Sequence, residues 1–143
     1  MIVKDIMNVN VIMIKPSATI KEAASEMTKN HIGSLVVISA TGEAAGIITE
    51  RDILSHVVAE GRPADGVKVE EIMSKELITV TPEDTLEEAA EIMSSKKIKK
   101  LPVIEENKIV GIITASDLIA FEKELVEKLS ELMVSPEVRK IGG

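Results

Sequence analysis

The sequence predicts an α+β fold made of two copies of one β-α-β-β-α unit, packed with pseudo-twofold symmetry into a single module. Three observations predict it: an internal repeat, short apolar runs punctuated by proline and turn residues, and helix starts that pair threonine with an acid three residues later. Lys4-Asp5-Ile6-Met7 returns as Glu70-Glu71-Ile72-Met73, an offset of 66 residues. At that offset Ile12 meets Ile78, Pro16 meets Pro82, Thr19 meets Thr85, Met27 meets Met93 and Leu35 meets Leu101. One residue is dropped in the second copy, after which Gly46-Ile47-Ile48-Thr49 falls on Gly111-Ile112-Ile113-Thr114 and Asp52 on Asp117.

Each copy opens on a strand, Val11-Ile12-Met13-Ile14 and Leu77-Ile78-Thr79-Val80, stopped by Pro16 and Pro82. Thr19 and Thr85 then start helices, with Glu22 and Glu88 completing the capping-box pattern. Ile20, Ala23, Ala24 and Met27, and likewise Leu86, Ala89, Ala90 and Met93, recur at helical spacing. A hairpin follows in each copy: Ser34–Ser39 with Ala45–Ile48 across the turn Ala40-Thr41-Gly42-Glu43, and Leu101–Glu105 with Lys108–Ile113 across Glu106-Asn107. A last helix starts near Thr49 and near Thr114. The boundaries read as a first repeat over 1–61, a linker over 62–69, a second repeat over 70–134 and a tail over 135–143. A repeat of about 60 residues is marginal alone, so the two should share one body. The final helix, Ser116 to about Val134, carries Leu118, Phe121, Leu125, Leu129 and Leu132 on one stripe. That stripe reads either as core packing or as a dimer seam.

Composition narrows the function. The 143 residues are 45% hydrophobic, which suffices for a packed core, and no apolar run approaches the ~20 residues of a membrane span. Asp5 stands where a signal peptide would be basic and no apolar segment follows it, so a cytoplasmic location without membrane association is expected. The net charge of −7 argues against nucleic acid as a partner. Without cysteine and with only His31 and His56, no metal site is expected. The chain has no nucleophile–base pair and no Walker-type loop, so no catalysis is expected either, and a nucleotide hydrolase ranks last among the readings. One Phe and no Tyr or Trp mean that a ring-shaped ligand would lie between aliphatic side chains and backbone. The absence of glutamine leans towards a thermophilic source.

Gly46-Ile47-Ile48-Thr49-Glu50-Arg51-Asp52, its repeat Gly111-Ile112-Ile113-Thr114-Ala115-Ser116-Asp117, and Leu101-Pro102-Val103-Ile104 together resemble a tandem cystathionine-β-synthase-type (CBS) domain pair, or Bateman module, over residues 2 to 120. The resemblance implies a regulatory, energy-sensing module with no required cofactor. Its ligand would be AMP, ADP or ATP, with S-adenosylmethionine as a further candidate, held in clefts between the repeats. It also implies a homodimer that alters the activity of a partner protein.

Thr49-x-x-Asp52 and Thr114-x-x-Asp117 are helix starts, and a threonine cap with an acid at the third position needs no ligand to explain it. Asp, a methylene shorter than Glu, should reach back to the cap amide less easily, which would leave the carboxylate for a ribose diol and the helix amides for phosphate. Carried over from the family, a first cleft would combine Ile47, Thr49, Arg51 and Asp52 with Ile78, Lys99, Lys100 and Pro102. A second would combine Ile112, Thr114, Ser116 and Asp117 with Ile12, Gly33, Ser34 and Val36. Three cations and one acid favour a phosphorylated ligand in the first. The second, with Ser116 for Arg51, Gly33-Ser34 for the lysine pair and Val36 for the proline, should bind more weakly, prefer a less charged adenosyl ligand or stay empty. Lys96 and Lys97 read as a solvated helix end. The rival class is a scaffold or dimerisation module with vestigial clefts, which would have no need of Arg51, Lys99 and Lys100 together.

Overall fold

The computed structural model describes residues 1–134; the tail assigned to 135–143 lies outside the described residues. The first repeat contains β1 (Met13–Ile14), α1 (Ile20–Asn30), β2 (Ser34–Ile38), β3 (Ala44–Thr49) and α2 (Glu50–Ile53), which runs on as a π-helical stretch over Leu54–Val58. After α3 (Val69–Ile72) the second repeat contains α4 (Leu86–Lys96), β4 (Lys100–Glu105), β5 (Lys108–Thr114) and α5 (Ala115–Val134). No helix among the described residues is long and apolar enough to cross a membrane.

β2 lies between a parallel β1 and an antiparallel β3, with Met13 opposite Val36 and Ser34 opposite Thr49. β4 and β5 pair in the same way as β2 and β3, with Lys100 opposite Thr114. The turn at Glu106-Asn107 takes positive φ at both residues, 50° and 64°, as a two-residue turn matching strand twist requires. The strand expected over Leu77–Val80 does not form: only Val80 bridges to Val103. The cause lies across the ladder. Pro102 has no N–H to donate, so the second rung, which in the first repeat pairs Met13 with Val36, is missing.

The segments that lead into each repeat dock on the other one. The Val3 and Lys4 amides donate to Asp84 and Pro82 carbonyls at 2.8 and 3.0 Å, while the Val69 and Glu70 amides donate to Ala18 and Pro16 at 2.8 and 3.0 Å. Asn8 and Ile112 exchange two backbone bonds, and so do Ser74 and Ile47. Two hydrophobic cores follow this exchange and not chain order. The first holds Ile20, Leu35 and Ile48 together with Val67, Val69 and Ile72, residues that precede or open the second copy. The second holds Leu101, Val103 and Ile113 together with Val3, and with Ile6 and Met7 packed against it.

The exchange explains the glycine in each Gly-Ile-Ile-Thr. A Cβ at Gly46 would run into the Ser74 carbonyl, and one at Gly111 would sit 2.6 Å from the Met7 sulfur, because the crossing segments pass directly over β3 and β5. At the far end the pseudo-equivalent Glu43 and Lys108 bridge each other, and the Lys108 ammonium donates to the Thr41 carbonyl. Only the start of the stripe on α5 joins the core. Leu118 packs against the second core and Phe121 is half-buried, while Ile119, Leu125, Val126, Leu129, Leu132 and Met133 remain 48–69% exposed.

Candidate functional site

β3 and β5 each deliver an extended threonine to the start of a helix. The Thr49 hydroxyl accepts from the Asp52 amide at 3.2 Å, and the Thr49 amide donates to Asp52 Oδ2 at 2.9 Å. Thr114 and Asp117 repeat this at 3.1 and 3.0 Å. The expectation that the shorter aspartate leaves the cap amide alone is therefore overturned. At Thr19 and Thr85 the hydroxyl accepts from the Glu22 and Glu88 amides, but neither glutamate closes a box. Thr49 is still in its strand at φ −119°, whereas Thr19 enters its helix at φ −81°. One oxygen of each aspartate is thus committed to the fold.

A cleft of about 620 Å³ opens between the repeats. Ile47, Thr49, Arg51, Ile78, Lys99, Lys100 and Pro102 all line it, while Asp52, held under Thr49, does not. Gly33 and Ser34, expected in the second cleft, line this one instead. The ladder is the reason: Ser34 stands opposite Thr49, and the Gly33 carbonyl accepts from the Glu50 amide at 3.0 Å. Glu50, Glu76, Leu77, Lys97 and Ile98 complete the lining. Leu77 and Ile98 adjoin residues already singled out. Lys97 carries a signal of another kind, since it caps α4 in the left-handed conformation at φ 56°, a place where glycine is usual.

The lining is amphiphilic. Ile47, Leu77, Ile78, Ile98 and Pro102 form an aliphatic wall, and Arg51, Lys97, Lys99 and Lys100 bring four cations against the two carboxylates Glu50 and Glu76. Among the described residues the only ion pairs are Arg62 with Glu71 at 3.1 Å and Lys128 with Glu124 at 3.4 Å, so no described carboxylate lies within 4.0 Å of any of the four.

The remaining six residues assigned to a second cleft do not line this one. Ile12 lines a separate open concavity along β1 and α1, and Val36 is 1% exposed. Ile112, Thr114 and Asp117 are half-buried and Ser116 is exposed, and none of these four lines any of the concavities described for the first repeat. Ala115 and Ser116 stand where the first repeat has Glu50 and Arg51. His31, the left-handed cap of α1, borders a shallow concavity with Glu50 and Ile53, and His56 is exposed on the π-helical stretch.

Against known proteins, the CBS domain family model matches residues 3–59 and 69–124. The chain is 38% identical over 125 residues to an uncharacterized protein of Methanopyrus kandleri, covering 87% of this chain and 64% of that protein; it therefore spans less than two thirds of that relative. It is 38% identical over 116 residues to the CBS domain-containing protein YhcV of Bacillus subtilis, covering 81% of each. A solved CBS domain pair in complex with 5′-methylthioadenosine and S-adenosyl-L-methionine superposes with a TM-score of 0.78 at 30% identity, over 87% of this chain and 97% of that one.

Proposed function

The chain belongs to the CBS domain family as a tandem pair, and on that premise we propose that it is a regulatory module that binds an adenosine nucleotide in the 620 Å³ cleft and thereby alters a partner protein. The observation that carries the reading is four cations, without ion-pair partners among the described residues, beside an aliphatic wall on a chain whose net charge is −7. Those cations are the one feature a pure scaffold would not need. Adenine fits the wall of Ile47, Leu77 and Ile78, with no aromatic ring to stack on. The rung lost at Pro102 leaves the Ile78 carbonyl to accept from the exocyclic amine. Phosphates extend to Arg51, Lys99 and Lys100 through charge-assisted bonds. The related CBS pair with two adenosyl ligands supports the ligand class.

Such a ligand touches both repeats. Binding then changes the angle between the repeats or between subunits, and it transmits a signal to the extent that affinity differs between the two arrangements. The exposed face of α5, from Ile119 to Met133, supports pairing with a second copy.

The test exploits the composition. Without Trp or Tyr the protein hardly absorbs near 260 nm, so ligand released by denaturation is visible in the filtrate and its mass identifies it. A thermal-shift series with AMP, ADP, ATP and S-adenosylmethionine completes it, because a ligand of the native state raises the midpoint. An adenine nucleotide in the filtrate, or a midpoint raised by one of the series, is expected. An empty filtrate with no shift from any of the four overturns the reading in favour of the scaffold.

A further inference from the structure

Lys97 ends α4 at φ 56°, ψ 46°, with its amide bonded back to the Ser94 carbonyl. His31 ends α1 in the same way at φ 54°. The turn therefore demands a left-handed residue in both repeats, and in neither is it glycine, which adopts that conformation without penalty. At position 97 the side chain lines the nucleotide cleft, and its place there is at the mouth. Along one wall, burial falls from Pro102, which is buried, through half-buried Lys100 to Lys99 and Lys97, which are exposed.

Resting on the nucleotide reading above, we propose that Lys97 is a ligand-binding residue that selects for the length of the phosphate chain. Lys100, the least exposed of the four cations, holds the phosphate nearest the ribose, Arg51 and Lys99 the next, and Lys97, of the three lysines the farthest in the chain from buried Pro102, takes the terminal phosphate of a nucleoside triphosphate at the mouth. A monophosphate, with about two negative charges, is served by the inner three cations, and each further phosphate adds charge that only the outer cation meets. Lys96 separates this role from a helix-end role. It lies in the same last turn and shares the favourable interaction with the helix C-terminus, but it does not line the cleft.

The experiment is calorimetric titration of the full chain with ATP, ADP and AMP at fixed salt, in the wild type, Lys97→Gly and Lys96→Ala, with the ligand-free thermal midpoint of each. Lys97→Gly is expected to keep or raise the midpoint, to weaken ATP about fivefold and to weaken AMP less than about twofold. Lys96→Ala is expected to leave all three affinities within about twofold. Equal weakening of ATP and AMP in Lys97→Gly, or none, overturns the role of Lys97 while leaving the nucleotide reading in place. Failure of the wild type to bind any of the three overturns both.

Discussion

Thr49–Asp52 and Thr114–Asp117 are nearly superimposable pieces of chemistry, each a threonine and an aspartate closing a reciprocal cap at 2.9–3.2 Å. Only the first borders the cleft, through Thr49, Glu50 and Arg51. The difference lies in what duplication did not preserve: Arg51 against Ser116, Lys99-Lys100 against Gly33-Ser34, Pro102 against Val36, Lys97 against His31. The shared motif starts a helix, and the unshared residues bring the cations and the proline to the cleft. Pro102 illustrates how far one residue reaches. By withholding an amide it removes a ladder rung and leaves the Ile78 carbonyl without a ladder donor, whereas Val36 keeps both its N–H and its rung with Met13.

The largest effect that can break this comparison is stoichiometry. Titration is expected to saturate at one nucleotide per chain, and saturation at two would restore the equivalence of the two halves. Next come the crossing points. Gly46→Ala pushes a methyl into backbone at Ser74 and is expected to cost about 3 kcal/mol, whereas Gly111→Ala meets the movable Met7 side chain and costs about 1 kcal/mol, both read from urea unfolding. Equal costs would mean that the two crossings are alike in rigidity. The smallest effect sharpens the contrast between motif and site. Asp52→Ala and Asp117→Ala should each lose about 1 kcal/mol of stability as their caps open. Only Asp52→Ala should also weaken nucleotide, about threefold, by releasing the Thr49 amide and hydroxyl. A matching loss of affinity in Asp117→Ala would place the second aspartate at a site of its own.

The duplication, the two long helix starts and both hairpins were legible in the sequence because each rests on neighbours in the chain: Thr19 with Glu22, the turn at Glu106-Asn107, the spacing from Ile20 to Met27. What was not legible depends on partners far away. Lys4–Met7 and Glu70–Met73 are so alike that nothing in them says which core each will join, and they join the opposite ones. The loss of the strand at Leu77–Val80 is decided at Pro102, across the sheet. The placement of Gly33 and Ser34 is decided by the ladder to Thr49 and Glu50. Lys97 reads as any cation at a helix end, because its place on the cleft depends on how the second repeat packs against the first.

The exchanged lead-in segments impose an order of events on a chain made from its N-terminus. Ile2–Asn8 leaves the ribosome before anything it docks on exists, since its partners Pro82, Asp84 and Ile112 all belong to the second repeat. The first core, by contrast, is complete once Ile72 has emerged. Residues made before the rest of the module are thus the last to find their place, and the second core stays open on one side until they arrive.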